Sequence, residues 1–285
     1  MNVQDVKVPG ATLHVYTQGS GPALLVIPGA PADSYFFAGL AGALSDEYTV
    51  HTVELRGLSR SPIDGEAGEI TPQQFADDIA ALLDKIADGP VIVVGASGGA
   101  VVGLDLAARY PDKVSTVVAH EPPAAAVLPN GDAWVAFFDE LSEFAKNVNS
   151  GAAMGRFIAS FDGYDGPEKD ESKGEPPQFP MPDFSQMSPE EMEGFQRMGQ
   201  NTEVFFGSII QQTPRYVPNY EALKSGDTKI VVAVGEASGG QLPHEAGKKI
   251  ADNLGVEAAT FPGDHQGFGT HTAEWAAAVK RAINS

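Results

Sequence analysis

The sequence predicts an α/β protein: a mainly parallel sheet wrapped by helices on both faces, with a helical cap inserted over its C-terminal edge. Three observations carry this prediction. Short apolar, β-branched runs alternate with segments of helical periodicity through residue 123, and again from residue 227 to the end. The run VIVV at 91–94 passes through Gly95-Ala96-Ser97-Gly98-Gly99 straight into the helical pattern AVVGLDLAARY. Between 124 and 226 the alternation stops, leaving helical patterns around an acidic, Pro-rich stretch at 163–187. The expected division is a core of residues 1–123 and 227–285 and a cap of residues 124–226.

Each element has a local reason. Residues 3–8 and 12–17 read as strands joined at Pro9-Gly10, and 23–27 (ALLVI) as a strand buried on both faces. That strand runs into Pro28-Gly29-Ala30-Pro31, after which SYFFAGLAGAL has helical spacing. Residues 48–55 form the next strand, followed by the loop RGLSRSP. An amphipathic helix spans 71–87, with Thr71 as N-cap and Pro72 at the first position, where a missing N–H costs nothing. The strand at 91–94 and its helix follow, then a strand at 114–119 ending in His120-Glu121-Pro122-Pro123. Cap helices are expected at 132–149, 151–161 and 188–212. The rhythm resumes with a strand at 230–234, a helix at 244–254, a strand at 258–261 and a last helix at 272–283.

Composition limits the function. The chain has 285 residues, 42% hydrophobic and 20% charged, as expected for a soluble globular protein. A net charge of −20 argues against nucleic acid and anionic membranes as partners. No apolar run reaches the length of a membrane span, and MNVQDVKVPG carries no apolar signal core. With no cysteine, thiol chemistry is excluded and a cytoplasmic location is expected. No cofactor or metal motif is visible, and a homo-oligomer is left open.

The chemistry centres on Ser97. Strand, G-x-S-x-G and helix in that order describe a nucleophile elbow, which thrusts the serine hydroxyl above the sheet edge. Gly95 and Gly99 are small because the helix doubles back past the strand. The Gly98 amide, at the helix start, is free to hold an anion. Serine needs a base. Of six histidines, His14 and His51 lie in early strands, and His244 opens a helix and reads as solvated. His265, in FPGDHQGF beyond the last strand, is the expected base, with His271 as its competitor.

The base in turn needs a carboxylate to fix its tautomer. Its common place is the loop after the seventh strand, in a pattern like G-E-x-D. Here that loop reads Gly235-Glu236-Ala237-Ser238, with Ser238 where the aspartate would stand. Asp264 is badly placed to meet its neighbour's ring. The candidates are Glu121, at the end of the sixth strand, and Glu236 as runner-up. For the oxyanion hole, the Gly98 amide is expected to act with the Ala30 amide, because Pro31 has no N–H to offer. Pro31, Trp134 and Phe206 are the expected substrate contacts, within a cap rich in bulky apolar residues: Phe137, Phe138, Phe157, Phe161, Phe205, Ile209 and Ile210.

Together PGAPADSYF, ELRGLSRS, GASGG and FPGDH resemble the α/β-hydrolase superfamily over nearly all of the chain outside 124–226. Within it, AHEPP followed by GEASGG and FPGDHQGF is similar to the zearalenone lactonases and their relatives. That resemblance implies Glu121 as the acid of a Ser-His-Glu triad, with no cofactor. The chain departs from the family pattern at Ala30, where a glycine is usual, and in its acidic cap. The expected activity is hydrolysis of a neutral, hydrophobic carboxylic ester or lactone through an acyl-enzyme. The alternatives are an inactive, receptor-like binding protein on the same fold and a cofactor-free perhydrolase or C–C hydrolase. Haloalkane dehalogenation needs a carboxylate where Ser97 stands.

Overall fold

A computed structural model describes residues 2–65, 68–160 and 187–285. Eight strands form one sheet in the order β1-β2-β4-β3-β5-β6-β7-β8. They are β1 (Asn2–Val8), β2 (Ala11–Gln18), β3 (Ala23–Ile27), β4 (Thr49–Val53), β5 (Val91–Ala96), β6 (Val114–His120), β7 (Lys229–Gly235) and β8 (Ala259–Phe261). β1 and β2 pair antiparallel, as do β2 and β4, and the strands from β4 through β3 to β8 are parallel. The parallel part forms because each strand returns through a crossover helix, so all its C-terminal ends meet at one edge.

The period-2 alternation of the strands divides the core into two layers. Leu25, Ile27, Val91 and Val93 point to one face, packed by α2 (Pro72–Ile86), α3 (Gly98–Arg109) and α8 (Leu242–Leu254). Leu24, Val26, Ile92 and Val94 point to the other, packed by α1 (Ala38–Leu44) and α10 (Thr272–Asn284). Because both faces are covered, β3 and β5 are apolar almost throughout. Thr71 caps α2 by accepting from the Gln74 amide at 3.2 Å, with Pro72 at the first position.

Between β6 and β7 the described residues hold helices and no strand. These are α4 (Gly131–Asn147), α5 (Ser150–Ala159), α6 (Pro189–Val204) and α7 (Tyr220–Ser225). The single helix expected over 188–212 ends sooner: α6 runs into a wide π-helical turn at Phe205–Ile209. Phe205, Phe206, Ile209 and Ile210, in and just after that turn, are all buried. α6 opens with a capping box, Ser188 to the Glu191 amide and Glu191 back to the Ser188 amide. α7 and the single-turn α9 (Gly267–Thr270) are too short for periodicity to reveal. Phe161 and nearly all of the Pro-rich stretch lie outside the described residues. Among the described residues no helix is long and apolar enough to cross a membrane.

Candidate active site

Ser97 stands between β5 and α3 at φ 55° and ψ −124°, a backbone conformation that L-residues rarely adopt. Such a residue costs on the order of 1–3 kcal/mol and persists only where its surroundings enforce it. Here they do. The Ser97 amide donates to the His120 carbonyl at 2.9 Å, extending the β5–β6 ladder one residue past the strand. A Cβ on Gly95 would collide with the Gly99 carbonyl oxygen, and one on Gly99 with the Ile27 carbonyl oxygen. Both positions therefore require glycine.

Glu121 follows β6 directly, and its amide donates to the Ala233 carbonyl of β7 at 2.9 Å. It also has positive φ, 49°, and its side chain is fully buried. Its carboxylate meets the His265 Nδ1 at 2.6 Å through Oε2. Its Oε1 accepts from the Gly235 amide at 2.8 Å and from the Ser238 hydroxyl. Burial alone would raise this carboxyl's pKa. The hydrogen bond and charge of His265, the charge of His120 and the Ser238 hydroxyl together overcome that and hold it down at about 2. Ser238, the residue in the usual aspartate position, thus serves as a donor to a carboxylate that arrives from the neighbouring strand.

The competing residues are turned elsewhere. Glu236 is exposed, and its carboxylate faces the Gly263 amide at 3.4 Å. Asp264 accepts from the Gln266 amide at 2.9 Å. His271 is exposed, with Nδ1 3.0 Å from the Thr270 hydroxyl. His14 pairs with Asp5 at 2.6 Å and His51 with Thr17 at 2.9 Å. His120 is fully buried, and burial pushes its imidazole down to about 4 against the pull of the Glu121 charge. His244 differs from its reading as a solvated residue. Its Nδ1 lies 3.3 Å from the Ser238 hydroxyl and 3.5 Å from Glu121 Oε1. Nothing in the local sequence announces this, because it depends on α8 packing behind β7.

The loop after β3 presses on the elbow. A Cβ on Gly29 would lie 2.7 Å from the Ser97 Cβ and 3.1 Å from the Gly98 nitrogen, so the loop backbone reaches contact distance. A Cβ on Gly98 would be 3.9 Å from the Ala30 nitrogen. The Ala30 and Gly98 amides therefore border the same space beside Ser97. Gly98 opens α3, where no preceding turn can accept its N–H. Among the described residues no hydrogen bond engages the Ala30 amide.

A cavity of about 40 Å³ adjoins Ser97. Ala30, Gly98, Leu55, Phe75 and Val102 line it from the core, and Phe138, Phe157, Phe205, Ile209 and Ile210 from the insertion. The expected contacts Trp134 and Phe206 do not line it. Both are buried one layer behind, with Trp134 stacked on Phe138 and Phe206 against Phe205, and it is Phe138 and Phe205 that reach the wall. Helical spacing places Trp134 and Phe138 on one face and leaves Phe205 and Phe206 side by side, and it does not say which of each pair reaches the wall. Pro31 does not line the space either; its carbonyl accepts from Asn201 Nδ2 at 3.0 Å. Among the described residues no group of three or more His, Cys, Asp or Glu could hold a metal ion.

The chain has clear relatives. It is 30% identical to the uncharacterized hydrolase YraK of Bacillus subtilis over 274 residues, 94% of this chain and 91% of that protein. Over 117 residues, 40% of each protein, it is 42% identical to 2-(acetamidomethylene)succinate hydrolase of Mesorhizobium japonicum. In structure it is similar to a thermophilic esterase from Thermogutta terrifontis, with TM-score 0.73 over the whole of both chains at 17% identity. The alpha/beta hydrolase fold family matches residues 22–216, more than half of the chain, and the protein belongs to that family.

Proposed function

We propose that the protein is a serine hydrolase that cleaves a neutral carboxylic ester or lactone through an acyl-enzyme. The observation that carries this reading is the 2.6 Å contact of His265 with the buried, ionised Glu121, on the sheet edge where Ser97 is held in its strained turn. Glu121 accepts from Nδ1 and so leaves the other ring nitrogen as the base. That nitrogen takes the Ser97 proton as the hydroxyl oxygen attacks the carbonyl carbon. The charge that develops on the carbonyl oxygen is met by the Ala30 and Gly98 amides. His265 then passes its proton to the leaving alkoxide, and water deprotonated by His265 releases the acid and restores Ser97.

The walls suggest the substrate. The side chains that line the space are apolar apart from Ser97 and Thr213, with no Arg or Lys among the described ones to hold a carboxylate. At 10–15 Å³ for one water, about 40 Å³ admits roughly three water-sized groups. A short apolar acyl arm therefore fits, and a long or macrocyclic one requires the insertion to shift. The lactonase-like H-E-x-P stretch at 120–123 keeps a lactone among the candidates.

The test is a fluorophosphonate label with a panel of p-nitrophenyl esters and lactones. Ser97 alone should be modified, and Ser97→Ala should abolish both labelling and turnover. Turnover that survives intact in Ser97→Ala sinks the proposal.

A further inference from the structure

Helix α6 belongs to the insertion, yet two of its side chains, one turn apart on the same face, grip the loop that carries Ala30. Arg197 donates to Asp33 through Nε at 2.8 Å and Nη2 at 3.2 Å, and Asp33 is fully buried. Asn201, only 2% exposed, makes three hydrogen bonds. Its Oδ1 accepts from the Ser59 amide at 2.6 Å, and its Nδ2 donates to the Ser59 hydroxyl at 2.9 Å and to the Pro31 carbonyl at 3.0 Å.

The last of these reaches the site through two peptide groups. The Pro31 carbonyl shares its planar unit with the Ala32 N–H, which donates to the Gly29 carbonyl at 2.9 Å. The Gly29 carbonyl shares its unit with the Ala30 N–H. A trans peptide directs its N–H opposite to its C=O, so fixing the Gly29 oxygen fixes the direction of the Ala30 amide. The resulting chain runs from Asn201 Nδ2–H to Pro31 C=O, from Ala32 N–H to Gly29 C=O, and ends on Ala30 N–H. Each link also polarises the next, which makes the terminal N–H a better donor.

We propose that Asn201 is a positioning residue for the reaction: from the insertion it aims and polarises the Ala30 amide, so the oxyanion hole is complete only when α6 is seated on the loop. This rests on the reading of Ala30 as an oxyanion donor. It also gives the insertion a part in catalysis separate from roofing the pocket, because a substrate that lifts α6 disarms the donor.

The discriminating variant is Asn201→Asp. It keeps an oxygen for the Ser59 amide and, as a carboxylate, cannot donate to the Pro31 carbonyl. Removing an oxyanion donor outright costs about 10²- to 10³-fold in kcat, so misaiming one should cost about 10- to 100-fold. Asn201→Ala should show that fall in kcat with KM within threefold and an unchanged pH profile, and Asn201→Asp should show it at pH values where the new carboxyl is ionised, with KM within threefold. Their affinity for a trifluoromethyl ketone, which forms the tetrahedral adduct, should fall in parallel. A thionoester of the same substrate supplies a second readout, since its sulfur accepts hydrogen bonds weakly. The ester-to-thionoester kcat ratio should drop in the variants, and partial loss of folded enzyme cancels from that ratio. An unchanged ratio, or a rise in KM with kcat intact, overturns the proposal and leaves Asn201 as a clamp for the insertion only. Failure of the hydrolase reading looks different: Ser97→Ala then turns over substrate as fast as the unsubstituted chain.

Discussion

Replacing Glu121 by glutamine changes one atom's chemistry at a fully buried carboxylate. Three donors converge on Glu121: the His265 Nδ1–H on Oε2, and the Gly235 N–H and Ser238 O–H on Oε1. A carboxylate accepts all three, but an amide offers one oxygen and one NH2. If the amide oxygen faces His265, its NH2 points at the Gly235 N–H, which is buried and then unpaired. If the NH2 faces His265, the ring must present a bare Nδ1 and carry its proton on the nitrogen needed as base. Either arrangement removes a hydrogen-bonded charge that compensates the imidazolium. The expected loss in kcat is on the order of 10³- to 10⁴-fold, equivalent to about 4–5.5 kcal/mol of barrier. Steady-state hydrolysis of a p-nitrophenyl ester measures it, with circular dichroism to establish that the variant is folded. Glu236→Gln is the control, with an expected change below threefold, since that side chain is exposed and turned to Gly263. A larger effect from Glu236→Gln than from Glu121→Gln would refute the assignment of the acid.

Two further outcomes follow from the packing. His120 is neutral when folded because burial lowers its imidazole from the usual 6.5 to about 4, so an unfolded chain takes up the proton first as pH falls. Stability present above pH 6.5 should be lost between pH 6.5 and 4, by about 3 kcal/mol at 1.36 kcal/mol per pH unit. His120→Leu should flatten that segment in urea denaturation, and an unchanged slope would count against a buried neutral ring. Phe205→Ala, on the wall beside Ser97, should raise kcat/KM for longer acyl esters relative to acetyl esters. Phe206→Ala, one layer behind, should instead lower unfolding stability by about 3–5 kcal/mol without changing chain-length preference. The reverse pattern would show that the aromatic assigned to the wall is the wrong one.

Much of the architecture was legible because it is local. The strands at 91–94 and 114–119, the Thr71 cap with Pro72, and the glycines around Ser97 each act within a few residues, where side-chain period and steric size decide the backbone. The helices α7 and α9 were not legible, since four to six residues cannot display a 3.6-residue period. The site divides in the same way. Ser97 was legible because a strained turn needs small neighbours in the sequence itself. The relation of Glu121 to His265, 144 residues apart, needed the order of β5, β6, β7 and β8 across the sheet. Ser238 and His244 were legible only as a missing aspartate and a helix-start histidine; their approach to Glu121 depends on how α8 packs behind β7. The same limit separates Phe205 from Phe206 and hides Asn201, whose hydrogen bond to the Pro31 carbonyl spans 170 residues. Contacts at that separation are set by which faces of distant elements meet, and a one-dimensional pattern records which faces are apolar but not what each of them will touch.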